Sequence, residues 1–167
     1  KLASVTIGTG VTTIGNNAFQ ASGTDESVTA QSINLGENVT TIGENAFSGC
    51  TPLTTPDLGN SLTAIPASML SGCTALTSIT IPVSVQSVGS NAFDNCDALT
   101  NIRINDSETT LSWKGNQYTH PLRNVDANYK LYLGRNLTTD NYNCFYNAAE
   151  VEIGNNVTTI NNNLFKD

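Results

Sequence analysis

The chain has 167 residues, of which 38% are hydrophobic and 13% charged, and its net charge at neutral pH is −7. This balance argues against a nucleic-acid ligand, because phosphate binding draws its affinity from many cations. No apolar run approaches the roughly 18 residues of a membrane-spanning helix, so the sequence predicts no membrane insertion.

One phrase recurs along the chain. Val11–Phe19 reappears as Val39–Phe47, Val85–Phe93 and Val157–Phe165, and more loosely as Leu62–Leu70. An aliphatic residue occupies one equivalent slot seven times, with separations of 20 to 29 residues and a constant 23 in the middle: Ile7, Leu35, Leu58, Ile81, Ile104, Leu133 and Ile153. Such a period predicts a leucine-rich-repeat solenoid, in which each repeat is one coil.

Each repeat predicts a strand, a turn and a return arm, in that order. The strand pattern Leu-x-x-Ile-x-Ile is complete in Leu76–Ile81 and Leu99–Ile104, where apolar residues alternate with period two. A glycine or proline then ends most strands. The Asn-Ala-Phe cluster predicts an irregular or short 3₁₀ return arm. We therefore predict a right-handed α/β-type superhelix of about seven coils, with short parallel strands on one face.

Stacked coils place equivalent side chains in ladders. The asparagine ladder is Asn17, Asn45, Asn91, Asn143 and Asn163, and the phenylalanine ladder is Phe19, Phe47, Phe93, Phe145 and Phe165. We predict that the phenylalanines pack in the interior. We also predict that the asparagine amides are buried and bind backbone groups of the adjacent coil, because peptide groups inside a stack need partners.

The four cysteines also fit the repeat. Cys50, Cys73 and Cys96 recur at 23-residue spacing, and Cys144 takes the alanine slot before Phe145. Equivalent slots hold Ser or Ala, which predicts buried reduced thiols in a small space, while one disulfide bridge between neighbouring coils stays an alternative. A ladder does not converge on a point as zinc ligands must, so we predict no metal site and no cofactor.

The stretch Leu76–Cys96 carries a recognisable motif. It reads Leu-x-x-Ile-x-Ile-Pro followed by Val-x-x-Val-Gly-x-Asn-Ala-Phe-x-x-Cys, which resembles the BspA-like leucine-rich repeats of bacterial surface proteins. The resemblance covers nearly the whole chain outside residues 105–128. It implies an extracellular or cell-surface location in a bacterium, reached by an export signal outside this stretch, and adhesion to matrix proteins or other cells. It offers no shared catalytic residues.

Residues 105–128 interrupt the regular repeats of 1–104 and precede the further, truncated repeats of 129–167; we predict one continuous solenoid domain. Alternation around Lys114–Asn116 predicts a β-hairpin whose second arm ends at Pro121. Two interpretations are open. The insert contacts a ligand, or its apolar residues, Trp113 among them, cover the interior where the repeat phrase is lost. Asp140, in a slot that is Ile elsewhere, predicts local distortion.

Basic and aromatic residues concentrate around this insert. The candidate binding residues are Arg103, Lys130, Tyr132, Tyr129, Trp113, Tyr118 and His120. Aromatic and arginine side chains are favoured binding anchors. Arg103 and Tyr132 occupy exposed strand positions, so with Lys130 and Tyr129 we expect an aromatic and basic patch that suits an acidic glycan or an acidic protein segment.

The function predicted from these observations is a non-catalytic interaction or adhesion module that binds a host or neighbouring-cell protein or glycan through the exposed strand face and the insert. A passive structural spacer in a larger surface protein is the alternative from another class. Enzymatic activity is disfavoured, because the chain has a single histidine, His120, and Cys144 is its one conceivable nucleophilic partner.

Overall fold

The structure, a computed structural model, describes residues 2–21, 28–125, 128–140 and 144–165. Over these residues the chain winds as a parallel β-solenoid with twelve short strands and no helix. The strands are β1 (Leu2–Thr6), β2 (Thr13–Ile14), β3 (Val28–Asn34), β4 (Thr41–Ile42), β5 (Ala64–Ile65), β6 (Ser78–Ile81), β7 (Ser87–Val88), β8 (Asn101–Ile104), β9 (Leu111–Trp113), β10 (Tyr129–Leu133), β11 (Leu137–Thr139) and β12 (Ala148–Ile153).

The strands lie on two sides of each coil. On one side, called the strand side below, β1 pairs with β3, and β6, β8, β10 and β12 form a four-stranded sheet in that spatial order. An isolated parallel bridge between Asn34 and Asp57 extends β3 toward the third coil. On the second side, β2 pairs with β4, and β5, β7, β9 and β11 form another sheet. All these pairings are parallel, as successive turns of one winding chain require.

The predicted solenoid of stacked coils is confirmed, with three differences in detail. Parallel strands occupy two sides of the coil rather than one. The return arms are successive turns, and the described residues contain no 3₁₀ helix. Five coils carry a named strand on both sides, fewer than the seven repeats predicted, because the Asp57 coil makes only a bridge on the strand side and the final coil contributes β12 alone.

The interior is built from the predicted ladders of apolar side chains. Phe47 and Phe93 are fully buried, whereas Phe19 and Phe165, in the first and last coils, are partly buried. The rings of Phe19 and Phe47 stack at 5.1 Å between centroids, nearly parallel. The amide of Phe19 donates to the carbonyl of Ala46 in the next coil at 2.8 Å. Backbone hydrogen bonds and ring stacking therefore act together between the first two coils.

The asparagine ladder has a different physical origin from the one predicted. Asn17 and Asn163 are exposed, and Asn45 and Asn91 are only partly buried, so this is no column of buried amides. All four adopt a left-handed backbone, with φ between 55° and 61°. Asparagine tolerates that conformation better than most residues. The slot selects asparagine for backbone geometry; Asn143 lies outside the described residues.

The prediction of reduced thiols is confirmed, since all four cysteines are free and buried. The thiol of Cys73 donates to the carbonyl of Phe47 at 3.4 Å, and that of Cys96 to the carbonyl of Leu70 at 3.2 Å. Burial raises the pKa of the Cys50 thiol to about 11 and that of Cys96 to about 12. These side chains therefore act as small uncharged groups that join neighbouring coils.

The segment 105–125 forms another coil, and the predicted β-hairpin around Lys114–Asn116 is wrong. β9 pairs in parallel with β7 and β11, which places Trp113 opposite Val88. Farther along, the amide of Phe93 donates to the carbonyl of Pro121 at 2.9 Å, a bond of the same kind as those between regular coils. The physical reason is burial, because a projecting hairpin would leave Trp113 in solvent, whereas here it is 1% exposed.

Candidate interaction surface on the strand side

The register of the strand-side sheet decides which outward side chains are neighbours. Arg103 of β8 stands opposite Tyr132 of β10, and Lys130 of β10 stands opposite Glu150 of β12. The residues between them, including Ile102 and Leu131, point inward and are buried. Alternation along each strand therefore fixes one apolar and one polar face, and the polar face holds the candidate site.

Arg103 and Tyr132 form a preorganised pair. The guanidinium carbon lies 3.9 Å from the centroid of the Tyr132 ring, in cation–π contact. The tyrosine hydroxyl lies 2.8 Å from both carboxylate oxygens of Asp106, and this hydrogen bond raises the pKa of Tyr132. A nitrogen of Arg103 lies 3.7 Å from the same carboxylate. Asp106 thus holds both members of the pair.

A second charge pair flanks this cluster. The ammonium of Lys130 lies 2.7 Å from Glu150, and this hydrogen bond raises the pKa of the lysine. Between the two pairs the sheet forms a shallow groove of about 310 Å³ that also has Glu152 in its wall. Two cations thus meet three carboxylates. The expected aromatic and basic patch is only partly formed. Tyr132 is the one aromatic residue that lines the groove, because Tyr129 is buried. The basic groups are paired inside the molecule, so an excess of positive charge is absent from this part of the described surface.

A family model settles the relationship of the chain to known proteins. The model of the BspA type leucine rich repeat region matches residues 1–121 and 116–167 in six copies. The chain belongs to this BspA-type family. The match includes the segment 105–125, in agreement with its being a coil of the array.

Solved structures of bacterial leucine-rich repeat proteins share the fold. A leucine rich cell surface protein from Faecalibacterium prausnitzii A2-165 has 21% sequence identity and a TM-score of 0.64, over 92% of this chain and 32% of that one. The T. pallidum leucine rich repeat protein has 23% identity and a TM-score of 0.69, over 93% and 71%. A leucine-rich repeat protein from Bacteroides ovatus ATCC 8483 has 24% identity and a TM-score of 0.57, over 93% and 46%.

The chain matches only part of the length of two of these proteins. The chain spans about a third of the length of the Faecalibacterium protein and less than half of the Bacteroides one. A search of curated proteins finds no significant match.

In the part of the chain that the structure describes, no helix is long and apolar enough to cross a membrane.

Three of the candidate binding residues are interior side chains of the BspA-type array. Tyr129 is 2% exposed, and burial raises its pKa. Trp113 packs on Phe145 with the ring centroids 5.1 Å apart, and His120 is also buried. They cover the interior, which is the second of the two interpretations of the insert. Tyr118 is exposed, but it follows β9 and so does not join the strand-side groove.

Sequence reasoning missed the acidic members of the surface and the burial of one basic residue. Strand register would have found Glu150, because it faces outward two residues before Glu152. Asp106 carries no such signal, since it follows β8 in an irregular turn. Arg135 is fully buried and donates to the carbonyl of Pro82 at 2.9 Å, although it stands in the position where Glu37 is exposed in another coil.

The buried His120 and Cys144 do not form an activated pair. Burial raises the pKa of the Cys144 thiol to about 12, so at neutral pH it is protonated and weakly nucleophilic. Burial also lowers the pKa of His120, whose Nδ1 atom has no hydrogen-bond partner. Among the described residues, no three His, Cys, Asp or Glu side chains are grouped so that they could hold a metal ion.

Proposed function

We propose that this chain is a non-catalytic interaction module of a bacterial surface protein, and that the strand-side groove around Arg103 and Tyr132 is its ligand-binding surface. The observation that supports the proposal most directly is the stacked Arg103–Tyr132 pair held by Asp106. Side chains fixed in this way lose little conformational freedom on binding, and arginine and tyrosine are frequent binding anchors. The comparisons support the same proposal, since the chain is a BspA-type repeat protein and one solved structure with its fold is described as a leucine rich cell surface protein.

The charges of the groove narrow the class of ligand. Because Arg103 and Lys130 are already paired with Asp106 and Glu150, a polyanion would have to displace carboxylates before reaching them. The proposed ligand is therefore a segment of protein or a weakly charged glycan that covers the Tyr132 ring and hydrogen-bonds to both charge signs. An adhesive role toward host or neighbouring cells, and export to the bacterial surface, belong to the same proposal.

The passive spacer is the second candidate, and one observation favours it. Arg103 and Lys130 both have intramolecular partners, so the surface is internally satisfied. The Lys130–Glu150 ion pair joins β10 to β12 and the Arg103–Tyr132 contact joins β8 to β10, which also fits a structural role between neighbouring strands. A spacer would keep its rod shape and bind nothing through this groove. The two candidates therefore differ in the consequence of removing the Arg103–Tyr132 pair.

The test is a binding screen of the protein against a panel of purified extracellular-matrix glycoproteins and a glycan array. For any captured probe, Arg103→Ala and Tyr132→Ala should each weaken binding by roughly tenfold or more, as loss of an anchor does. Arg123→Ala is the matched control, because Arg123 is a half-exposed, ion-paired cation that does not line the groove. A far-ultraviolet circular dichroism spectrum checks the fold. Binding that all three variants retain would reject the groove and leave the spacer.

A further inference from the structure

Four residues of the irregular coil have no counterpart in the regular repeat. Lys114 bonds to the coil before it as Gly89 does, and Thr119 accepts from Asn91 in the way that Ser90 accepts from Ser68. Gly89 and Ser90 are adjacent in sequence, whereas Gly115–Tyr118 separate Lys114 from Thr119. None of these four extra residues is buried. They add nothing to the core, unlike Leu111, Trp113, Leu122 and Val125 of the same coil.

Hydrogen bonds hold this exposed loop in one shape. The side chain of Asn116 accepts from the amide of Tyr118 at 2.8 Å, in an Asx turn, and the Asn116 amide donates to the Thr119 hydroxyl at 3.1 Å. The Gly115 amide donates to the carboxylate of Asp140 in the following coil at 3.1 Å. Asp140 does not occupy the Ile slot that the sequence pattern assigns to it, because Thr139 stands opposite Trp113 and Asp140 is the exposed residue that follows. Its carboxylate ties the base of the loop to the next coil.

The loop presents an anchor and a charge. Tyr118 is 69% exposed, more than any other exposed large hydrophobic side chain in the part of the chain that the structure describes. Lys114, at the other end of the loop, is exposed and makes no ion pair with any described residue. The remaining described cations differ: Arg103, Arg123 and Lys130 each pair with a carboxylate, and Arg135 is buried.

We propose that the loop Gly115–Tyr118, with Lys114, is a second contact surface, which binds a protein segment that offers a carboxylate beside an apolar side chain. The free ammonium of Lys114 supplies the charge complementarity, and the Tyr118 ring supplies apolar contact area. Glycine, asparagine and tyrosine are also the residues that binding loops use most, because a rigid ring is flanked by adaptable polar groups. The hydrogen bonds of the loop reduce the ordering cost of binding.

This surface is independent of the strand-side groove. The loop follows β9, which belongs to the sheet on the second side, whereas Arg103 and Tyr132 lie in the strand-side sheet. Failure of one surface therefore leaves the other untouched. Variants at Lys114 and Tyr118 can be compared with variants of the same residue types in the groove.

The experiment selects a phage-displayed random peptide library on the intact chain, with counterselection on Tyr118→Ser. We expect the enriched peptides to carry Asp or Glu beside an apolar residue. As synthetic peptides they should bind Lys114→Gln and Tyr118→Ser roughly tenfold more weakly than the parent chain. The matched variants Lys130→Gln and Tyr132→Ser, in the groove, should bind the same peptides as the parent does.

Three results would overturn the proposal. One is a set of enriched peptides that lack acidic residues, or that bind the Lys114→Gln variant as tightly as they bind the parent chain. Another is loss of binding in the groove variants to the same extent as in the loop variants. The third is a selection that enriches no peptide, while the chain binds neutral glycans on an array and the Tyr118→Ser variant does not. That result would assign the loop to sugar binding. Unchanged thermal melting of Lys114→Gln and Tyr118→Ser serves as the folding control, since both side chains lie outside the core.

Discussion

The guanidinium of Arg135 reaches across one whole coil to the carbonyl of Pro82, at 2.9 Å. It also donates to the carbonyl of Val83 at 3.1 Å. The backbone ladder between the Pro82 coil and the next runs to Asn105, whose amide donates to Ile81, and resumes only at Ser112, which donates to Gln86. Arg135 thus supplies hydrogen bonds where the irregular coil moves away from its neighbour.

We expect Arg135→Met to lower the free energy of unfolding by about 2–3 kcal/mol, because two hydrogen bonds from a buried charged donor to backbone carbonyls are lost. Arg103→Met is the matched control. Its side chain is half exposed, and its partners, the Asp106 carboxylate, the Tyr132 ring and the side chain of Asn105, lie at the surface, so its loss should cost less than about 1 kcal/mol. Urea unfolding monitored by circular dichroism measures both changes. Equal costs for the two variants would contradict a role for Arg135 in joining the coils.

A second prediction concerns the left-handed asparagine slot. Asn91 has φ of 56°, and its Oδ1 atom is buried without a hydrogen-bond partner. If the slot selects for backbone conformation, Asn91→Gly should change the stability by less than about 0.5 kcal/mol, while Asn91→Ala should cost about 1–2 kcal/mol. Thermal or urea unfolding of the two variants tests this. A glycine variant as unstable as the alanine variant would restore the amide-bonding explanation.

These two sites show where the sequence suffices and where it does not. The period of the repeat places Phe47, Phe93 and the cysteines correctly, because stacking makes equivalent positions neighbours whatever the details of the turns. A recurring asparagine does not by itself show whether the position requires a left-handed backbone or a side-chain hydrogen bond, as Asn91 illustrates. The burial of Arg135 depends on the position of the irregular coil that precedes it, and the residues around Arg135 in the sequence do not predict that position.

In the irregular coil, the local sequence pattern does not determine how the strand pairs. Alternation of residues 109–121 around Gly115 fits an antiparallel hairpin and a strand in a parallel sheet equally well, since both have period two. The long-range partners decide, and these are Val88 before and Thr139 after the segment. For the surface, strand register correctly places Arg103 beside Tyr132, but it does not reveal that Asp106 folds back onto both.

The base of the Gly115–Tyr118 loop supplies a third prediction. Gly115 has φ of 131°, and a Cβ atom added there would lie 2.6 Å from the carbonyl oxygen of Thr119. We expect Gly115→Ala to cost about 1–3 kcal/mol or to loosen the loop, because both the dihedral angle and the contact exclude a side chain. Amide hydrogen exchange of Tyr118 and unfolding by urea report the two outcomes. Gly10→Ala is the control, since a Cβ atom added at Gly10 would meet nothing within 4 Å. If Gly115→Ala changed neither stability nor exchange, the loop would not be closed at this point.

The last prediction concerns pH and uses the only histidine of the chain. Burial lowers the pKa of His120 below its ordinary value of 6.5, in spite of the opposing influence of Asp94. Well above pH 6.5 the imidazole is neutral in both the folded and the unfolded chain, so it contributes no pH dependence there. As the pH falls below 6.5, the unfolded chain binds the proton first, and the stability of the folded state decreases until the folded-state pKa is passed.

The measurement is the free energy of unfolding of the parent chain and of His120→Leu between about pH 7 and 5. The parent should lose stability over this range relative to the variant, whose leucine does not titrate and can fill a similar part of the interior beside Tyr146. The difference between the two curves isolates His120 from the carboxylates, which titrate in both proteins. Parallel curves would mean that the imidazole is solvated, and a variant that loses more stability than the parent would mean that protonated His120 is stabilised in the fold by Asp94.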